Sequence, residues 1–187
     1  MSWQRVASCL GERALNAEAY EVLRKLAFSS FLLIALGFCS TPVFAQTAPN
    51  FVLPVVTSNG LTGQTVTLSS FRGSVVLLEF MEPWCPHCQA VAPVLSNLNQ
   101  RYRSQNVVFV TISGPWNGAT ASDAARFIRA YGSSWVYVYD STSAVFEAYG
   151  VNGTPTFIII GAGGSIVTRL EGEQTEPALA GAINQAF

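Results

Sequence analysis

From residue 75 onward, short continuous apolar runs alternate with longer stretches whose apolar residues recur every three or four positions. That is the pattern of strands buried on both faces separated by amphipathic helices. Val75 to Phe80 is the most apolar run, and its one charged residue is Glu79. The next stretch, 86–103, predicts a helix with Ala90, Val91, Val94, Leu95, Leu98 and Tyr102 on its apolar stripe. Pro93 lies inside it and is expected to kink it. Val107 to Ile112 predicts a second buried strand, and 113–118 a loop. Ala121 to Tyr131 predicts a helix capped by Thr120 or Ser122. Trp135 to Tyr139 predicts a strand with its aromatics alternating on one face, and Ala144 to Tyr149 a short helix. Thr156 to Ile160, a turn at 161–164 and Ser165 to Leu170 predict an antiparallel pair, and Glu176 to Ala186 the closing helix. Ahead of all this, Phe51–Pro54 and Gln64–Leu68 flank Asn59-Gly60 and Thr62-Gly63, the arrangement of a β-hairpin, with a turn at 69–73.

This order implies an α/β fold: a central mixed sheet with helices on both faces. The runs at 75–80 and 107–112 are joined by a helix, so they should lie parallel through a right-handed crossover. Open sheets of this kind place their sites at the carboxyl ends of the strands, and here the first of those ends leads into Cys85-Pro86-His87-Cys88.

The N-terminal part reads differently. Basic residues at 5, 13, 24 and 25 precede an apolar run from Leu26 to Cys39, then Ser40-Thr41-Pro42 and Val43-Phe44-Ala45. This is the pattern of a secretory signal over 1–45 with a cut after Ala45, leaving 46–187 as one domain. The run is shorter than the roughly 20 residues of a spanning helix. An uncleaved anchor is the alternative, and the length ahead of Arg24 suggests a true start near Val22 or Leu23. The expected location is extracytoplasmic: periplasmic or secreted.

Composition narrows the function. The formal net charge is −1 and only 11% of residues are charged, so no basic patch points to nucleic acid. Of four cysteines, Cys9 and Cys39 fall in the signal segment and Cys85 and Cys88 remain. A single thiol pair with no spare cysteine suits an oxidising compartment.

Two thiols three positions apart at the first turn of a helix suit disulfide exchange. The thiolate is the nucleophile, and the unpaired N–H groups and dipole of a helix N-terminus stabilise its charge. Pro86 at the first helical position fits, because its missing N–H and fixed φ cost nothing there. A zinc site needs about four ligands, and His87 is the chain's one histidine. Haem attachment needs histidine directly after the second cysteine, where Gln89 stands. No metal or organic cofactor is implied. A chaperone holding Cu(I) between the two thiolates is a reading from another class. A peroxidase would want threonine three residues before its cysteine, where Glu82 stands as a solvated loop charge.

From about Ala48 to Phe187 the chain resembles extracytoplasmic thioredoxin-like oxidoreductases of the TlpA/ResA group. The likeness rests on Leu78-Glu79-Phe80-Met81-Glu82-Pro83-Trp84-Cys85-Pro86-His87-Cys88, on Pro93, on Gly153-Thr154-Pro155-Thr156, and on the long interval between Cys88 and Pro155. It implies a thioredoxin-like three-layer α/β/α fold with an N-terminal β-hairpin extension and an inserted helix and strand at 121–139. By resemblance, Cys85 is the attacking thiol, Cys88 resolves the mixed disulfide, and Thr154-Pro155 carries a cis bond. Trp84, Pro86, Thr154 and Pro155 would contact a protein thiol or disulfide substrate, with Pro83 beside Trp84 on an apolar rim. A membrane redox partner is implied, while the oligomeric state is left open.

The direction of exchange is read from three features. Pro86-His87 is the dipeptide of DsbA, the strong disulfide donor, and His87 is expected to hydrogen-bond or polarise the Cys85 thiolate, making the disulfide more oxidising. Glu79 matches the buried acid of DsbA and of disulfide isomerases; burial should raise its pKa and let it relay a proton to or from Cys88. Val91 replaces the glutamate that ResA-like proteins place after the second cysteine. Of these, Pro86-His87 and Glu79 favour a disulfide donor. The alternative, favoured by the overall architecture, is a reductase serving cytochrome c maturation or a metal-site cysteine pair.

Overall fold

The computed structural model describes Glu21 and residues 46–187. The expected signal segment, its cut and the alternative anchor lie outside the described residues. The elements in chain order are β1 Val52–Thr57, β2 Gly60–Thr67, β3 Val75–Met81, α1 Pro86–Tyr102, β4 Val107–Ser113, α2 Ala121–Tyr131, β5 Val136–Tyr139, α3 Ala144–Ala148, β6 Thr156–Ile160, β7 Ile166–Glu171 and α4 Glu176–Asn184. Short 3-10 turns cover Leu68–Phe71 and Trp116–Gly118.

All strands join one seven-stranded sheet in the order β2-β1-β5-β4-β3-β6-β7. β3 runs parallel to β4, and β4 to β5. β6 and β7 return antiparallel on one side, and the β1–β2 hairpin adds antiparallel to β5 on the other. The inserted α2 and β5 therefore bridge the hairpin extension to the central strands. This is the mixed α/β sheet that the apolar pattern implies.

β3 is buried along its whole length, because helices cover both faces of the sheet. Its side chains alternate between them, as a strand's period of two requires. Val76, Leu78 and Phe80 pack with Val145, Phe146 and Tyr149 around α3. Val75 and Leu77 face Leu95, Leu98 and Leu179 of α1 and α4, while Met81 packs with both cysteines and with Phe127 of α2. In α1 the buried stripe is Cys88, Val91, Ala92, Leu95, Leu98 and Tyr102. Ala90, expected on that stripe, is exposed: at 100° per residue it points away from Cys88, and Ala92 takes the inward place.

α2 begins in a capping box, with Asp123 N–H donating to Thr120 Oγ1 at 3.3 Å and Thr120 N–H donating to Asp123 Oδ2 at 2.8 Å. Gly132 ends it at φ 63°, a left-handed position that glycine adopts without steric cost. Among the described residues no helix is long and apolar enough to cross a membrane. Thr120→Ala removes one half of the box and should lower stability by about 1 kcal/mol. Urea unfolding reads this as a lower midpoint at an unchanged slope.

Candidate active site

The carboxyl end of β3 delivers the chain to the thiols. Cys85 is the N-cap of α1 in extended conformation (φ −73°, ψ 118°), with Pro86 inside the first turn and no side-chain cap. The first N–H groups of α1 thus lack an intrahelical partner at the cysteine pair. Cys85 is 4% exposed and Cys88 0%, so Cys85 is the outer thiol, as expected, though only just. Both are free thiols. Cys85 Sγ donates to the carbonyl of Thr154 at 3.4 Å, and the Thr154–Pro155 bond is cis. The structure therefore brings Thr154 and Pro155 to the outer thiol across a long stretch of sequence.

Behind the thiols lies Glu79, 1% exposed. Its neighbour in register on β4 is Thr111, which donates to Glu79 Oε2 at 2.6 Å. Trp135 Nε1–H donates in turn to Thr111 Oγ1 at 2.8 Å. The threonine's single proton thus goes to the carboxyl while its lone pair is occupied by the indole. Burial raises the Glu79 pKa from an ordinary 4.5 to about 7, against the smaller downward pull of Thr111. Burial also pushes the Cys88 thiol far up, helped by the nearby Glu79 charge and by a hydrogen bond with Cys85. Glu79 and Cys88 therefore form one buried unit in which neither group ionises at its usual pH.

His87 departs from expectation. It is exposed, and its Nδ1 lies 2.9 Å from Glu173 Oε2 in the β7–α4 connection. That carboxylate, rather than the Cys85 thiol, takes its hydrogen bond. Pro86 is exposed on the same surface. Trp84 is 46% exposed next to Cys85 in the chain, and its Nε1–H donates to the carbonyl of Trp116 at 3.1 Å.

Glu82 corrects the sequence reading. It is not a solvated loop charge but 0% exposed. Its Oε1 accepts from the Trp116 N–H at 3.3 Å, and Gly114 supplies a second backbone hydrogen bond. Burial raises its pKa to about 8, partly opposed by those two bonds. Its Oε2 is buried with no hydrogen-bond partner, a condition that costs about 1–3 kcal/mol. Gly114 makes room for it: a Cβ there would lie 2.8 Å from Glu82 Oε1 and 3.0 Å from the Phe146 ring. One-dimensional pattern gives little signal for this burial, because the loop that covers Glu82 belongs to the end of β4. Glu173 escaped notice for the same reason. Among the described residues, no group of three or more His, Cys, Asp or Glu is placed to hold a metal ion.

Comparison with known proteins agrees with this geometry. The Redoxin family profile matches residues 45–183. The thiol-disulfide oxidoreductase ResA of Bacillus thuringiensis (strain Al Hakam) is 29% identical over 140 residues, covering 74% of this chain and 75% of that protein. The crystal structure of a candidate thiol:disulfide interchange protein DsbE from Chlorobium tepidum superposes with a TM-score of 0.68 at 27% identity, over 76% of this chain and 96% of that one. A secreted Mycobacterium tuberculosis disulfide oxidoreductase homologous to E. coli DsbE gives 0.61 at 25% identity, over 72% and 94%. The fold is thioredoxin-like.

The two raised carboxyl pKa values fix a sign for stability against pH. Each group binds its proton more tightly in the folded chain than at the ordinary 4.5. The stabilisation is thus complete below about pH 4.5 and is lost as pH rises towards about 7 for Glu79 and about 8 for Glu82. Within its window each contributes a fall of about 1.4 kcal/mol per pH unit. Urea midpoints between pH 5 and 8 should fall more steeply for the wild type than for the Glu79→Gln, Glu82→Gln double variant.

Proposed function

The chain belongs to the Redoxin family, and from that premise we propose that its Cys85–Cys88 pair exchanges disulfides with extracytoplasmic protein substrates. It is a TlpA/ResA-like thiol:disulfide oxidoreductase. The observation that carries this reading is the stacking of an outer thiol against Thr154 and an inner thiol beside a buried carboxyl. The secreted M. tuberculosis relative supports the extracytoplasmic location.

In the reducing direction, the Cys85 thiolate attacks one sulfur of a substrate disulfide. A Cys85–substrate disulfide forms and the other substrate sulfur leaves as a thiolate that takes up a proton. Cys88 then gives its proton to the Glu79 carboxylate and attacks the Cys85 sulfur. The Cys85–Cys88 disulfide forms, the second substrate thiolate leaves, and two electrons have passed to the substrate. The donor direction is the exact reverse. Glu79, titrating at about 7, is suited to hold that proton near neutral pH. Thr154 and Pro155 would border the substrate segment, with Trp84 and Pro86 on its other side.

The geometry favours the reductase reading. A donor needs its reduced form stabilised, and His87 was one of the sequence's reasons to expect that. With His87 on Glu173 and the inner thiol held protonated by burial and Glu79, that stabilisation is weakened. Such a reductase would serve a cytochrome c maturation step or a metal-site cysteine pair and draw electrons from a membrane partner. Pro86-His87 and the buried Glu79 remain the features favouring a donor.

The reduction potential of the pair in glutathione buffers tests the direction. A reductase lies at or below about −250 mV, whereas about −120 mV would reverse the assignment. Cys88→Ser should accumulate the mixed disulfide on non-reducing gels, and Cys85→Ser should form none. Glu79→Gln should slow resolution by about 10²-fold. It should also abolish the rise of that rate with pH through about 7, read by stopped flow.

A further inference from the structure

Glu82 is a buried carboxyl that the exchange mechanism leaves unused, and its connections run towards the substrate side. Its own carbonyl accepts from the Cys85 N–H at 3.0 Å. Its side chain gathers the N–H groups of Gly114 and Trp116. The carbonyl of Trp116 then receives the indole N–H of Trp84 at 3.1 Å, while the Trp116 ring rests 5.0 Å from Phe146. The half-exposed Trp84 is thereby fixed through a chain of bonds that begins on Glu82.

Beyond Trp84 opens a groove of about 440 Å³ between the thiol loop, the Trp116–Gly118 turn and α2, lined by Trp84, Gln89, Ala119, Phe127 and Tyr131 among others. The charged pair on its α2 wall, Asp123 and Arg126, is closed upon itself. The lining therefore combines aromatic and aliphatic surface with uncharged polar groups such as Gln89 and Asn117, its charged pair is already matched, and it begins at the residue next to Cys85.

We propose that Glu82 is a positioning residue whose carboxyl latches the Trp116–Gly118 turn onto Trp84, building the wall of a groove that receives an uncharged segment of the protein substrate flanking its reactive cysteine. This rests on the thiol–disulfide exchange reading. It accounts for a carboxyl kept at 0% exposure with one oxygen unpartnered, an arrangement that packing alone would replace by an apolar side chain. It also accounts for a glycine at 114, where any side chain would meet Oε1.

The test compares reduction of insulin, a protein disulfide, with reduction of glutathione disulfide. Glu82→Ala should raise KM for insulin by about tenfold with a much smaller change in kcat, and lose far less with glutathione disulfide. Glu82→Gln keeps an Oε1 acceptor for the two amides and should restore insulin KM to within about threefold of wild type. Trp84→Phe keeps a ring but removes the indole donor, leaves the buried carboxyl undisturbed, and should share the insulin KM defect. Independently of turnover, hydrogen exchange of the Trp84 indole N–H should quicken in Glu82→Ala. Equal losses on both substrates, no loss on either, or a Glu82→Gln variant as impaired as Glu82→Ala would overturn the latch. If Glu82→Ala does not fold, an unchanged insulin KM in Trp84→Phe overturns it. A wild-type protein that reduces neither disulfide defeats the reductase direction instead, and the indole exchange rate still decides the latch.

Discussion

Burial of β3 on both faces is the constraint on which the site depends. β4 and β6 pair with it on either side, and helices cover it above and below. A polar side chain on this strand loses its water whichever way it points. Glu79 points towards α1 and meets Cys88; Glu82, just past the strand end, is held by the backbone of Gly114 and Trp116. Desolvation is the largest influence on Glu79, Glu82 and Cys88 alike, and the local hydrogen bonds only moderate it. A strand buried on one face would have left at least one of these carboxyls in water and ionised.

Proton affinity and charge are thereby divided across the site. Behind the thiols, low polarity keeps protons on carboxyl and sulfur until exchange calls for them. In front, polar side chains at the surface are matched in pairs: His87 hydrogen-bonds Glu173, and Arg126 pairs with Asp123. Exposed pairs of this kind add little to stability. Their effect is local, because each engages a charge that could otherwise act on the thiolate or on a substrate.

Much of this was legible in one dimension. Periodicity located every strand and helix to within a few residues, since a doubly buried strand and an amphipathic helix leave different spacings. The thiol pair and the buried Glu79 were legible for a related reason: each is an unusual residue type in an otherwise regular pattern; Thr154-Pro155 was read through the family resemblance. The direction of His87 and the burial of Glu82 were not legible. His87 is held by a residue far along the chain, and Glu82 is covered by the loop after β4. Nothing in the spacing near either residue records a partner so distant.

The sequence by itself determined the α/β order of elements, the parallel β3–β4 pair and the chemistry of two thiols at a helix start, because these follow from local periodicity and from residue types close together in the chain. Only the tertiary structure decided which carboxyls lose their water, which partner takes the histidine and what flanks Cys85. Those outcomes depend on how loops from separate strands meet at one end of the sheet, and burial and hydrogen bonding between them are properties of the packed chain alone.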